Sequence, residues 1–117
     1  MAGALMKTIP ETEAGFQAAV IDLAQWHRWL VHHQRPGRNS DGSWRSQIQG
    51  NAGFPDLVLA RDGRLVIAEL KSEKGVVSPQ QRTWLSCLET VSRASAGIAE
   101  VFLWRPKNWD EIERTLR

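Results

Sequence analysis

Residues 56–71 read DLVLARDGRLVIAELK, and this stretch decides the fold. Asp56 to Ala60 is short and apolar, which predicts a β-strand. Asp62-Gly63 is a pair that favours the tight turn of a hairpin, because both turn positions tolerate positive φ. Leu65 to Lys71 then predicts the returning strand. We therefore expect an antiparallel hairpin here, the clearest β-structure in the sequence.

This hairpin brings two carboxylates and an ammonium group to one place. Antiparallel pairing puts Asp56 at the same end of the sheet as Glu69 and Lys71. Because side chains alternate along a strand, Glu69 and Lys71 share one face. A surface hairpin with a solvated ion pair is the alternative. However, residues 65–68 form a nearly continuous apolar run, typical of a strand buried on both faces, where charges cost free energy unless they are paired or bind metal.

The convergence of Asp56 and Glu69 favours a metal site. Two neighbouring carboxylates repel each other unless a cation lies between them. Oxygen ligands suit Mg²⁺ or Mn²⁺ rather than zinc, and the backbone carbonyl of Leu70 could add a ligand. Such an ion can bind a phosphate oxygen and lower the pKa of bound water. Lys71 could orient that water and offset charge on the phosphate. The pattern thus predicts metal-dependent phosphodiester hydrolysis.

Helices and two further strands flank the hairpin. The order is helix, strand, hairpin, helix, strand, helix, which predicts an α/β fold with a mixed central sheet of about four strands flanked by helices. The expected elements are a helix from Glu11 to about Arg28 capped by Thr12, a strand at residues 29–33, a helix capped by Ser78 and running to about Ser92 that buries Trp84, Leu85, Leu88 and Val91, a strand from Ile98 to Trp104, and a short helix from Pro106 to Leu116.

Length and composition are those of one domain. The 117 residues leave room for a single core, and we expect residues 1–10 to be a flexible N-terminus and residues 11–117 to form the domain. There is no apolar run long enough to span a membrane, and the first ten residues lack the features of a secretory signal. Cys87 is the only cysteine, which fits a reducing compartment, so we expect a cytoplasmic protein.

We expect the polar segment from Arg35 to Gly53 to be a long loop, and this loop is a candidate substrate surface. The formal net charge of the chain is only +2, so the placement of charge says more than its sum. Arg35, Arg38 and Arg45 could contact DNA phosphates, and Trp44 could stack on a base. A solvated loop whose arginines serve solubility is the alternative.

Three motifs together resemble the VRR-NUC family of the PD-(D/E)xK nuclease superfamily. They are Gly53-Phe54-Pro55-Asp56, Glu69-Leu70-Lys71, and SPQQRTWL at residues 78–85; residues 101–106 and 109–112 also resemble the C-terminal end of that family. The resemblance implies a restriction-endonuclease-like core and an Mg²⁺-dependent DNA endonuclease. It also implies branched, flapped or four-way-junction DNA as the substrate class.

The resemblance adds two residues to the site. Glu13, on the first helix, matches an acidic position that contributes to metal or water binding, and Gln81 matches a glutamine that reaches toward the catalytic centre. Each has a purely structural alternative, since Glu13 could favour the helix dipole and Gln81 could close a capping box. One of His32 or His33 could also face the metal site if their strand lies beside the hairpin.

A domain this small cannot easily surround a duplex and cut both strands, so we expect a homodimer or a partner protein. One rival is a catalytically silent nuclease-fold module that binds DNA or protein. A second is a metal-dependent hydrolase acting on another phosphate ester.

Overall fold

A computed structural model describes residues 9–34, 37–38, 44–45 and 48–117, with backbone alone at 37–38 and 44–45. Its helices and strands follow one another along the chain with short connections outside the polar segment. They are α1 (Glu13–Trp26), β1 (Leu30–His33), β2 (Gly37–Arg38), β3 (Trp44–Arg45), β4 (Leu57–Arg61), β5 (Arg64–Leu70), α2 (Pro79–Ala94), β6 (Ala99–Trp104), a 3₁₀ turn (Pro106–Asn108) and α3 (Trp109–Leu116).

Four strands form the central sheet in the order β1-β4-β5-β6. β1, β4 and β5 pair antiparallel, whereas β6 lies parallel to β5. The parallel pair requires a crossover, and α2 supplies it. The predicted α/β class with a mixed four-stranded sheet flanked by helices is confirmed, and the architecture is restriction-endonuclease-like. No helix in the described ranges has the length and apolarity needed to cross a membrane.

The main core lies between one face of the sheet and two helices, α1 and α3. Residues at spacings of four on α1 face the sheet, as expected for an amphipathic helix. Cross-strand partners supply the opposite side, since paired side chains project to the same face. The buried cluster comprises Phe16, Val20, Ala24, Trp29, Leu57, Leu59, Val66, Ala68, Leu70, Trp104, Ile112 and Leu116.

The α2 helix covers the other face less completely. It packs against β6, the edge strand, and only Leu85 is fully buried on it. Trp84 and Leu88 are half-buried. The prediction that Val91 is buried is wrong, because its side chain is 53% exposed. A helix seated on an edge strand has no neighbouring strand to cover its outer stripe, so only the central part of its apolar face is buried.

Several element boundaries differ from the predictions. The α1 helix begins at Glu13 because Thr12 is its N-cap, with Thr12 Oγ1 accepting from Gly15 N at 3.1 Å. The polar segment contains a short antiparallel ladder, β2 with β3, where we predicted a loop throughout. In the hairpin, Asp56 precedes β4 and Lys71 follows β5. Both residues therefore lie one position outside the strands, where the backbone is no longer bound into the hairpin ladder.

Candidate active site

The hairpin brings Asp56, Glu69 and Lys71 together, as its pairing predicted. Leu57 is paired with Ala68 in the register of β4 and β5, so Asp56 lies next to the Glu69–Lys71 end. Asp56 Oδ2 accepts a hydrogen bond from Leu70 N at 2.9 Å. On the other side of β5, Lys71 N donates to the Trp104 carbonyl at 3.0 Å. These two bonds fix the backbone on either side of Leu70.

Glu69 is the most constrained ionisable group of the site. Its side chain is 1% exposed, and Oε2 lies 3.6 Å from Lys71 Nζ. Oε1 is buried and has no hydrogen-bond partner among the described residues. Burial and the neighbouring charge of Asp56 raise the pKa of Glu69 to about 7, although Lys71 opposes the change. This carboxyl group therefore titrates near neutrality in the protein without metal.

Burial and nearby groups also have opposite effects on the pKa of Asp56. Burial raises the pKa of Asp56, and the Leu70 N–H, His33 and Lys71 act in the opposite direction. The side chain accepts a hydrogen bond, so its charged form is partly stabilised. Among the described residues, two partly desolvated carboxyl groups thus share the single ammonium group of Lys71.

The donor set fits a hard divalent cation. Glu69 Oε1 is a buried oxygen with no hydrogen-bond partner among the residues that the structure describes. The N–H and C=O of a strand residue project to the same side, so the Leu70 carbonyl faces the Asp56 side. No group of three or more His, Cys, Asp or Glu side chains is arranged to hold a metal within the described part of the chain. Mg²⁺ is commonly bound by one or two carboxylates and otherwise by water and substrate phosphate, so a pair of carboxylates suffices.

The sequence matches the model of a known domain family. The family model of the VRR-NUC domain matches residues 25–103. The chain belongs to the VRR-NUC family. It is therefore a nuclease domain, and the match includes Asp56, Glu69, Lys71 and Gln81, whereas Glu13 precedes it. A search of curated proteins found no match.

Glu13 and His33 lie at the border of the VRR-NUC site. Glu13 is exposed in the first turn of α1, and its charge contributes to the raised pKa of Glu69. His33, opposite Leu57 in the β1–β4 register, lowers the pKa of Asp56 through its charge. His33 is thus the histidine on the site side of β1, and Glu13 lies near enough for its charge to act there. Metal binding by Glu13 stays a prediction.

Gln81 has a structural role in the VRR-NUC domain. Gln81 Oε1 accepts from Ser78 N at 2.9 Å, and Gln81 N donates to Ser78 Oγ at 3.1 Å. These two bonds form the predicted capping box of α2. The side-chain oxygen is therefore engaged at the helix start, and a catalytic role of Gln81 stays a prediction.

The predicted DNA-contacting residues fall largely outside the described ranges. Arg35 lies outside them altogether, and the side chains of Arg38, Trp44 and Arg45 do as well. Their role in binding DNA stays a prediction.

Arg105 supports the turn that follows Lys71, a role that the sequence analysis missed. Its Nη1 donates to the carbonyls of Ser72 at 2.6 Å, Gly75 at 2.8 Å and Glu73 at 3.1 Å. Arg105 immediately follows the buried Trp104 at the end of β6. A single guanidinium thereby ties this turn to the neighbouring strand and holds the backbone beyond Lys71 in place.

Gly53 fixes how the segment before Asp56 meets α2. Its φ is +100°, and a Cβ at this position would lie 2.6 Å from the carbonyl carbon of Gln80. That distance is far inside van der Waals contact with backbone, which cannot move as a side-chain end can. Gly53 is therefore required both for its backbone conformation and for the close approach of the two segments.

Replacing Gly53 by alanine is expected to destabilise the domain more than the same change at Gly50. Gly50 has a similar φ of +101°, but no atom of the described residues lies within 4 Å of its added Cβ. Both variants incur backbone strain of about 1 kcal/mol or more, and only Gly53→Ala adds the clash with Gln80. Urea unfolding followed by tryptophan fluorescence measures the difference. Equal free energies of unfolding for the two variants would contradict the close packing described here.

Proposed function

We propose that this VRR-NUC domain is a divalent-metal-dependent endonuclease that hydrolyses phosphodiester bonds in DNA. The observation that carries the proposal is the buried Glu69 Oε1 beside Asp56 and Lys71, which has no hydrogen-bond partner in the described part of the chain. A carboxylate kept in this state costs free energy in the protein alone. A cation offsets that cost, so the site is better suited to binding metal than to stabilising the fold.

Mg²⁺ or Mn²⁺ would be held by Asp56, Glu69 and the Leu70 carbonyl. Glu13, whose charge acts on Glu69, would contribute through a water molecule. When bound, the ion supplies Lewis-acid activation of the phosphate and lowers the pKa of a water molecule. The carboxyl groups contribute orientation, because the hydrogen bond from Leu70 N to Asp56 Oδ2 restricts the rotamer of Asp56. Burial of the Glu69 side chain restricts its movement.

Lys71 acts on the substrate side of the pair. Its side chain is 12% exposed, so its ammonium group is largely shielded from solvent and interacts strongly with nearby charge. The Nζ atom can donate to the attacking water and to a non-bridging phosphate oxygen. Negative charge that grows on the phosphate is thereby stabilised at a position that needs no reorganisation.

Branched, flapped or four-way-junction DNA is the proposed substrate class, and a homodimer the proposed assembly. One hairpin provides one centre, so cutting two strands needs two copies or a partner protein. Arg35, Arg38, Trp44 and Arg45 would contribute backbone and base contacts. The single cysteine in the chain favours a reducing compartment such as the cytoplasm.

Cleavage assays on defined DNA test the proposal. Linear, single-stranded, flapped and four-way-junction substrates are incubated with Mg²⁺, Mn²⁺ or EDTA, with the parent protein and Asp56→Asn. We expect cutting by the parent with metal, none in EDTA, and a strong loss in Asp56→Asn, because the neutral amide binds a cation weakly. Cutting that survives EDTA would refute the metal dependence. DNA binding without cutting under every condition would instead support the silent nuclease-fold module.

A further inference from the structure

A groove lies next to the candidate active site, between the residues that precede Gly53 and the first turns of α2. Its volume is about 520 Å³, which falls within the usual range of small-ligand clefts. The groove is lined by Asn51, Ala52, Gln80, Thr83, Trp84 and Cys87. None of these six side chains carries a formal charge, which makes the groove unlike a phosphate-binding surface.

Trp84 gives the groove a fixed aromatic wall. Its Nε1 donates to the Asn51 carbonyl at 3.1 Å. The ring of Phe54 meets it edge-to-face, with centroids 5.0 Å apart and an interplanar angle of 84°. Because the indole N–H is already engaged and the ring is held from two directions, Trp84 is preorganised for a planar apolar contact.

The groove and the carboxylates are connected through one short segment. Gly53 packs directly on the backbone of Gln80, and Asp56 follows three residues later. Three residues span at most about 11 Å. A strand whose phosphate lies at Asp56 and Glu69 would therefore place the base of a neighbouring nucleotide within reach of the groove.

We propose that this groove is a subsite for a single unstacked base of the DNA strand beside the scissile phosphate. The inference rests on the proposed function, since it takes the strand held at Asp56 to be DNA. A base offers a π-face for Trp84 and a polar edge for the amides of Asn51 and Gln80. A base paired within a continuous duplex cannot enter, so the groove favours substrates with unpaired nucleotides next to the cut.

Two threonines of α2 offer a matched pair of variants. Thr83 and Thr90 are both exposed, and each hydroxyl donates to the carbonyl four residues earlier at 3.0 Å. Thr83 lines the groove, whereas Thr90 lies about two turns further along the helix and does not. Thr83→Trp would fill the groove, and Thr90→Trp adds the same bulk elsewhere on the same helix.

Fluorescence anisotropy in EDTA measures binding without cutting. The probes are a labelled single-stranded oligothymidylate and an abasic strand of the same length. We expect the parent and Thr90→Trp to bind the base-bearing strand at least about fivefold more tightly than the abasic one, the scale of one stacked base. We expect Thr83→Trp to lose this difference. Equal affinity of the parent for both strands, or equal behaviour of the two variants, would overturn the subsite.

Cys87 allows the same test in the unmutated protein. It is the only cysteine in the sequence, it is exposed, and it lines the groove. Its alkylation by iodoacetamide should be slowed by oligothymidylate and not by the abasic strand, and equal rates with both would overturn the inference. Neither measurement needs catalysis. Metal-dependent cutting without base-dependent binding would refute the subsite alone, and base-dependent binding without cutting would refute the hydrolase alone.

Discussion

Replacing Lys71 by alanine is expected to lower the rate of DNA cleavage by about 10²- to 10³-fold, the usual cost of removing one group that stabilises transition-state charge. Lys71 Nζ forms an ion pair with Glu69, at 3.6 Å from Oε2, and the side chain of Lys71 is largely shielded from solvent. The loss should appear in kcat rather than in KM for DNA, because the ammonium group acts on charge that develops during the reaction.

Lys74→Ala is the matched control for Lys71→Ala. Lys74 belongs to the turn that follows Lys71 and is exposed. Lys74→Ala therefore changes the net charge by the same amount without removing a group beside the carboxylates. Single-turnover cleavage at saturating Mg²⁺ compares the two variants with the parent. A similar loss in both variants would mean that the effect is general electrostatic attraction of DNA. No loss in Lys71→Ala would exclude the assigned role.

The meeting of Asp56, Glu69 and Lys71 could be predicted from the sequence because it depends on local structure alone. A strand, a two-residue turn and a returning strand determine which residues end up side by side, and the apolar run before Glu69 indicated burial. The degree of that burial could not be predicted. The 1% exposure of Glu69 depends on residues from elsewhere in the chain, including β6, which pairs with β5.

The supporting contacts escaped prediction for the same reason. Arg105 binds the turn after Lys71 across 33 residues, and Gly53 meets Gln80 across 27 positions of sequence. Neither contact leaves a periodic pattern, because each depends on how a loop meets a distant element. The capping box of α2 was predicted, since Ser78 and Gln81 are only three residues apart. The burial of Val91 was wrongly predicted for a similar reason. The apolar pattern of α2 does not show that the helix packs against an edge strand.

The raised pKa of Glu69 predicts that the metal-free protein loses stability as pH rises. The carboxyl group titrates at 4.5 in its reference state and at about 7 in the fold. Between these values the native state binds more protons than the unfolded state, so the free energy of unfolding falls with increasing pH. Because one pKa unit corresponds to about 1.4 kcal/mol, the contribution of Glu69 that is present at pH 4.5 and lost by pH 8 is on the order of 3 kcal/mol.

Glu69→Gln isolates this contribution. The amide keeps the shape of the side chain and does not ionise, so in EDTA at pH 8 we expect the variant to be more stable than the parent. At pH 5 the advantage should largely disappear, because the parent is then protonated. Urea unfolding followed by tryptophan fluorescence from pH 5 to pH 8 gives both curves, with Glu113→Gln, an exposed glutamate of α3, as the control. Parallel curves for the parent and Glu69→Gln would contradict the assignment.

Mg²⁺ should reverse the order of stability. A cation bound between Asp56 and Glu69 stabilises the native parent by mass action and favours the ionised carboxylates, so Mg²⁺ should raise the stability of the parent at pH 8 and have little effect on Glu69→Gln. Lys71→Ala and Glu69→Gln should therefore have different effects on rate and on stability. Lys71→Ala lowers the cleavage rate while the metal-induced stabilisation remains. Glu69→Gln removes that stabilisation and leaves an inactive domain that is more stable than the parent only without metal. A metal response that persists in Glu69→Gln would place the cation elsewhere.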